Sequence, residues 1–237
     1  MQVVLLAGGL GTRLSEETDL IPKPMVKIGP DPIILHIMKY YASFGHKNFL
    51  VAAGYKGEIL KDYFEAHLHS FRNKHGWTIN VVDTGLSTGT GGRLLKLMPF
   101  LEQEFLMTYG DGLSNVDLDA LIKHHIRLGK IATVTAVRPP ARFGSMQLVN
   151  GLVVKFSEKN PQDVGWINGG FFFLNKRVCE LIQNLETSFE SDPINQLVSQ
   201  NELAAYQHEG WWHPMDTLRD KRQLESIWAT NNAPWIR

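Results

Sequence analysis

The 237 residues are 43% hydrophobic, enough to bury a sizeable core, and one α/β-sized domain is the default for that length. Lys plus Arg and Asp plus Glu are equal at 24 each, so no overall field draws nucleic acid or an anionic membrane, and any anion site is local. The single cysteine, Cys179, excludes an intramolecular disulfide and a cysteine-rich zinc site. No apolar run approaches roughly 18 residues, and the first residues carry no basic leader or cleavage signal, so the expectation is a soluble, cytoplasmic protein.

Val3 to Leu6 is too short and too aliphatic for a helix and reads as a strand buried on both faces. It runs at once into Ala7-Gly8-Gly9-Leu10-Gly11-Thr12-Arg13. Glycines there leave backbone N–H groups uncovered for phosphate, and Arg13 adds a rigid positive fork. Leu14 stands where a dinucleotide fingerprint needs its third glycine, and no GxxxxGK[ST] string occurs. The loop therefore grips phosphate in some other way. Pro22-Lys23-Pro24 offers a second cation from a stiff segment.

A helix is predicted from Pro32 to Gly45, a strand over 48–53, a helix carrying Ile59, Leu60, Tyr63 and Phe64, and a strand from Trp77 to Val82. This alternation implies an α/β fold with a Rossmann-like, mostly parallel central sheet flanked by helices. The next stretch, Asp83 to Arg93, is rich in glycine and hydroxyls and precedes a helix predicted to begin at Leu94. A linker is the bland reading; a loop on which a flat nucleobase is read by N–H, C=O and threonine hydroxyls fits its position better.

The strand Phe105 to Tyr109 ends in Gly110-Asp111-Gly112. Asp111 is either a ligand at the carboxyl end of a central strand or an ordinary Asp-Gly turn. His124 and His125 lie in a helix over 116–128, on different faces, and read as ordinary surface histidines. After a strand over 131–137 the pattern turns antiparallel: a hairpin around Asn150-Gly151, then Ile167 to Leu174 interrupted by Gly169-Gly170. Helices are predicted over 175–185 and 192–200, with a short strand over 204–207 between the second of these and the chain's end. Asp216 precedes a last helix, where sequence alone makes it an N-cap. Trp211, Trp212 and Trp235 read as core or interface.

LAGGLGTRLSEET, PKPM, TGTGGRL, YGDG, PPARFG, INGGFF and PMDTLRDK, in that order and over essentially the whole chain, closely resemble the glucose-1-phosphate cytidylyltransferases, the CDP-glucose-forming branch of the sugar-phosphate nucleotidyltransferases. The resemblance implies the nucleotide-diphospho-sugar transferase fold with a small antiparallel sugar-binding subdomain: a nucleotide-binding half over 1–137, a sugar-phosphate half over 138–215 and a C-terminal helix and tail over 216–237. It implies transfer of a cytidylyl group from CTP to α-D-glucose 1-phosphate, with Mg²⁺ as cofactor and a homo-oligomeric assembly. It further implies that Leu6, Ala7, Gly8, Gly9, Gly11, Thr12 and Arg13, with Thr88, Thr90, Gly92, Arg93 and Gly110, hold the nucleotide. Arg13, Lys23 and Asp111 would be catalytic, and Asp111 and Asp216 would share the metal. Lys23, Glu158, Lys159, Asn168 and Gly169 would meet the sugar phosphate.

The residues agree with such chemistry. Two phosphorylated substrates bring roughly six negative charges into one cleft, and an already ionised phosphate oxygen attacks without a general base, so alignment and charge neutralisation suffice. Two departures stand out: Asn160 follows Glu158-Lys159 where the family usually has proline, and the connection from Phe64 to Trp77 is short, which bears on assembly. Competing readings are the same chemistry with UTP, dTTP or another sugar 1-phosphate, a non-catalytic nucleotide-sugar sensor, and a Rossmann-type oxidoreductase, the last disfavoured by Leu14.

Overall fold

A computed structural model of the chain describes residues 1–139, 145–149, 151–157 and 165–237, with the side chains of all but 15, 16, 145–148 and 155–157. A seven-stranded sheet forms its centre. Its strands are β1 (Gln2–Leu6), β2 (Asn48–Ala53), β3 (Thr78–Asp83), β4 (Glu104–Tyr109), β5 (Ala132–Val137), β6 (Ile167–Asn175) and β7 (Leu203–His208). They lie in the order β7-β5-β6-β4-β1-β2-β3, and every strand but β6 runs the same way.

β1 is buried along its whole length because both faces of the sheet are covered. Val3 and Leu5 join one apolar cluster with helices α1 (Ile33–Ser43), α2 (Gly57–Ser70), α4 (Leu118–Leu128) and α6 (Leu218–Ala229). Val4 and Leu6 join the other, with α3 (Thr90–Leu97) and α5 (Asp192–Ser199). The alternation of side chains along a strand thus divides one run of four aliphatic residues between two cores.

The hairpin strands Ser145–Val149 and Leu152–Ser157 pair antiparallel as a sheet of their own, with Gly151 at φ 79° beside the turn. Asn150, the other turn residue, lies outside the described residues. Ile167–Asn175 instead enters the central sheet between β4 and β5. Because it runs against its neighbours, its first residues stand beside the carboxyl ends of β4 and β5, the edge where ligands bind in such sheets.

Four expectations change. α3 begins at Thr90 instead of Leu94. The segment after Asn175 is a 3₁₀ turn, Lys176–Leu181, because Asn175 closes β6 and its side chain accepts from the Arg177 N–H. His125 is buried at 3% exposure, stacked on Phe173 with Nδ1 2.8 Å from Thr133 Oγ1. The N-cap of α6 is Thr217, in a reciprocal capping box with Asp220, which leaves the Asp216 side chain for other partners. Among the described residues, no helix is long and apolar enough to cross a membrane.

Candidate active site

The carboxyl edge of β1 and β4 opens into a cleft of about 610 Å³. Its floor begins where β1 stops. The Ala7 N–H donates to the Ala52 carbonyl and the Gly110 N–H to the Leu6 carbonyl, so both glycine turns hang from the same strand end. Carbonyls of the opening loop point inward: Gly8 accepts from the Tyr55 N–H and Gly11 from the Leu14 N–H and Thr18 hydroxyl. Gly8, Gly9, Gly11, Thr12 and Arg13 line the cleft, as do Leu6, Ala7 and Gly110.

The glycines of this loop have different reasons. Gly11 has φ 65°, and a Cβ there would also lie 2.9 Å from Thr18. Gly9 has neither excuse: its φ is ordinary and, among the described residues, nothing stands within 4 Å of the place a Cβ would take. Packing among the described residues gives no cause for glycine at position 9, whereas close approach of a bulky ligand does.

Lys23 joins the loop to Asp111 and Asp216. Its Nζ donates to Asp111 Oδ2 at 2.6 Å and to Asp216 Oδ1 at 2.8 Å, with its side chain only 12% exposed. Burial alone pulls the lysine pKa down, but the two carboxylates outweigh it and hold it above its ordinary value. Arg13 Nη1 donates to Asp216 Oδ2 at 3.2 Å from a largely exposed side chain. A short antiparallel pair of strands, 112–114 with 212–214, makes this meeting possible by setting Gly112 opposite Pro214 and tying the Met215 N–H to the Asp111 carbonyl. Two hard carboxylates therefore converge on one cation, the donor set that suits Mg²⁺.

Arg93, expected to hold nucleotide, lines the cleft and is at the same time bound into the protein behind it. Its Nη2 donates to the Gly8 carbonyl at 2.8 Å, and its Nη1 reaches Thr84 Oγ1, the Gly85 carbonyl and the Ala53 carbonyl at 2.5, 3.0 and 3.2 Å. The residue is 4% exposed, and burial lowers its pKa against the support of Asp83. Its geometry is that of a pin between two loops.

The second glycine loop is likewise shaped by packing. A Cβ on Gly92 would lie 1.9 Å from the Leu185 carbonyl oxygen, and one on Gly89 would lie 2.4 Å from that of Thr187. The Gly89 and Gly92 N–H groups donate to those two carbonyls. These glycines bring the start of α3 against the backbone of 185–187, so Thr88, Gly89 and Thr90 face the cleft while Gly92 does not line it.

Asn168 and Gly169 line the opposite wall. Asn168 Nδ2 is 3.4 Å from the Tyr109 hydroxyl, and its Oδ1 accepts from the Gly170 N–H. Trp212, expected in core or interface, is half-buried at the cleft with Nε1 donating to the Gly169 carbonyl at 2.7 Å, whereas Trp235 is buried and stacked on Trp211. Glu158 and Lys159 lie outside the described residues.

Sequence reasoning missed Tyr109, Ser188 and Glu190. Glu190 accepts from the hydroxyls of Thr90, Ser188 and Tyr109. Burial pulls its carboxyl up, and the hydroxyls of Ser188, Thr90 and Tyr109 outweigh it and hold it below its ordinary value. Tyr109 sits in the YGDG string and could have been found there. Ser188 and Glu190 lie in an irregular segment with no motif to mark them.

A glycine-rich loop, a lysine and two carboxylates gather at the carboxyl edge of a mostly parallel sheet, an arrangement in keeping with an enzyme of the nucleotidyltransferase class. The chain belongs to the nucleotidyl transferase family, whose model matches residues 2–229. It is 46% identical to a glucose-1-phosphate cytidylyltransferase of Salmonella typhi, over 99% of this chain and 98% of that protein. It is 38% identical to a probable glucose-1-phosphate cytidylyltransferase of Bacillus subtilis, over 99% of each. Among solved structures, HddC from Yersinia pseudotuberculosis superposes with a TM-score of 0.74 at 25% identity, covering 96% of this chain and 99% of that one.

Proposed function

We infer that this chain transfers a cytidylyl group from CTP to α-D-glucose 1-phosphate, giving CDP-glucose and pyrophosphate. The observation that carries the choice of substrates is the 46% identity, over nearly the whole of both chains, to a glucose-1-phosphate cytidylyltransferase. The chemistry is supported by the site itself. The N–H groups of Gly8 to Thr12 take the triphosphate, whose approach Gly9 leaves unobstructed. Arg13 steadies the charge that grows on the departing pyrophosphate. Lys23 is released from its carboxylate partners as the α-phosphate arrives and carries its charge there.

Asp111 and Asp216 would hold Mg²⁺, and Lys23 Nζ marks the point on which they converge. The ion, when bound, draws the phosphates together and screens their charge. The sugar phosphate oxygen is ionised near neutral pH, so the protein needs only to align it in line with the leaving group. Asn168 and Gly169 would meet the sugar together with Glu158, and Lys159 its phosphate.

The test is pyrophosphate release measured across four nucleoside triphosphates and a panel of sugar 1-phosphates. CTP with glucose 1-phosphate is expected to give the highest kcat/KM. Faster turnover with UTP or dTTP would overturn the base assignment, and faster turnover with another sugar would overturn the acceptor assignment.

A further inference from the structure

Glu190 receives three hydroxyls: Thr90 Oγ1 at 2.5 Å and Ser188 Oγ at 2.6 Å on one oxygen, and the Tyr109 hydroxyl on the other. An ionised carboxylate has no hydrogen to give, so each hydroxyl spends its only hydrogen on Glu190. What Thr90, Ser188 and Tyr109 then offer the cleft, which all three line, is lone pairs. The Phe189 N–H donates to Thr90 Oγ1 at 2.8 Å, which fixes that hydroxyl further in the accepting role.

We propose that Glu190 is a positioning residue that sets the specificity of the cleft by making Thr90, Ser188 and Tyr109 acceptors only, so that the ligand group seated against them is a hydrogen-bond donor, a sugar hydroxyl. This rests on the reading of the cleft as a site for a nucleoside triphosphate and a sugar 1-phosphate. Three sources of donors enter such a cleft: the hydroxyls of the sugar, the ribose hydroxyls of CTP and the exocyclic amine of cytosine. The sugar is favoured over the ribose because the Tyr109 hydroxyl lies 3.4 Å from Asn168 on β6, a residue assigned to the sugar, and over the amine because three acceptors gathered on one carboxylate match several hydroxyls better than one nitrogen; Thr90, which the resemblance gives to the nucleotide, then faces the sugar.

An acceptor-only wall makes a distinctive demand. Replacing a sugar hydroxyl by hydrogen removes a donor; replacing it by fluorine removes the donor and sets an acceptor against lone pairs. An ordinary hydroxyl wall, free to rotate, would tolerate fluorine better than hydrogen. This wall should not.

The experiment measures kcat/KM for glucose 1-phosphate and its deoxy and deoxyfluoro analogues with the intact enzyme, together with the CTP to UTP ratio. In the wild type, at one or more ring positions, both analogues should fall about tenfold or more, with fluorine no better than hydrogen. In Glu190→Gln the amide donates to one of the hydroxyls and frees that hydrogen for the cleft, so the fluoro to deoxy ratio should rise about fivefold with the CTP to UTP ratio unchanged. Ser188→Ala, an exposed substitution that leaves the backbone alone, should lower kcat/KM for the parent sugar while changing little for the analogue deoxygenated at the matching carbon.

Wild-type enzyme that uses a fluoro analogue as well as the parent at every position would overturn the proposal. So would an unchanged fluoro to deoxy ratio in Glu190→Gln together with no analogue-specific effect of Ser188→Ala. A change confined to the CTP to UTP ratio would overturn the sugar assignment and give the wall to the base. Absence of turnover with any pair of substrates in the wild type would instead remove the underlying reading of the cleft, and the inference with it.

Discussion

Arg93 and Gly8 are 85 residues apart in the chain, and the guanidinium of one donates to the carbonyl of the other at 2.8 Å inside the protein. Each requires the other's form. A Cβ on Gly8 would lie 2.1 Å from Arg93 Nη1, so the first loop needs glycine partly because the second loop needs arginine. By taking the Gly8 carbonyl inward, Arg93 helps turn the rest of that loop toward the cleft.

Arg93→Lys should therefore be costly although the charge is kept. One ammonium cannot reach the four oxygens that the fork satisfies, and a buried acceptor left unpaired is expensive. A loss of about 3 kcal/mol is expected, equivalent to a Tm lower by roughly 6–12 °C, with a raised KM for CTP. Thermal unfolding and initial rates check this; an unchanged melting curve would show that the pin carries no load.

Gly92→Ala and Gly9→Ala should separate a glycine needed by the fold from one needed by the ligand. Alanine at 92 must push the start of α3 away from Leu185, at a cost of about 2–3 kcal/mol. At 9 the new methyl meets no atom of the described residues within 4 Å, so stability should change by less than about 0.5 kcal/mol while the KM for CTP rises. Urea unfolding with parallel kinetics reads both, and equal destabilisation in the two variants would refute the distinction.

Asp111→Asn and Asp216→Asn should each lower kcat by about 10²–10³-fold and flatten its dependence on Mg²⁺ concentration. Each leaves Lys23 one carboxylate partner, so folding should persist, with a Tm within roughly 3 °C of wild type. Wild-type turnover in either variant would remove the shared-metal assignment.

His125 makes stability depend on pH. Burial, helped by His124, pushes its pKa down to about 4 from an ordinary 6.5. The unfolded chain then binds a proton that the folded chain refuses between those values. Stability from this group is fully present above pH 6.5, falls as pH drops from 6.5 toward 4, and is level below. The whole effect is about 3 kcal/mol. His125→Gln, which cannot titrate, should show a shallower fall over that window in urea titrations at stepped pH, and parallel curves for variant and wild type would contradict it.

Much of the fold was legible because it rests on short-range signals. The aliphatic run at 3–6, the residues of β2 and the alternation with amphipathic helices are written in spacing, which backbone geometry converts directly into elements. The errors lie where a distant partner decides. α3 starts early because the 185–187 backbone supplies carbonyls to the Gly89 and Gly92 N–H groups, a partner invisible from position 90. His125 reads as a surface residue from its own helix pattern, which carries no sign that β6 sets Phe173 against it.

The amino-acid sequence by itself determined that a strand empties into a glycine-rich loop, that a second glycine loop follows the third strand, and that Lys23 and Asp111 are candidates for one reaction. Only the tertiary structure decided which of these residues meet. Lys23 and Asp216 are 193 residues apart and touch because one strand pairing lays 212–214 against 112–114. Arg93 pins two loops together while lining the cleft, and Glu190 gathers hydroxyls that no motif connects. The physical reason is one of range: periodicity and backbone permission act over a few residues, whereas burial and hydrogen-bond satisfaction choose partners from anywhere in the chain.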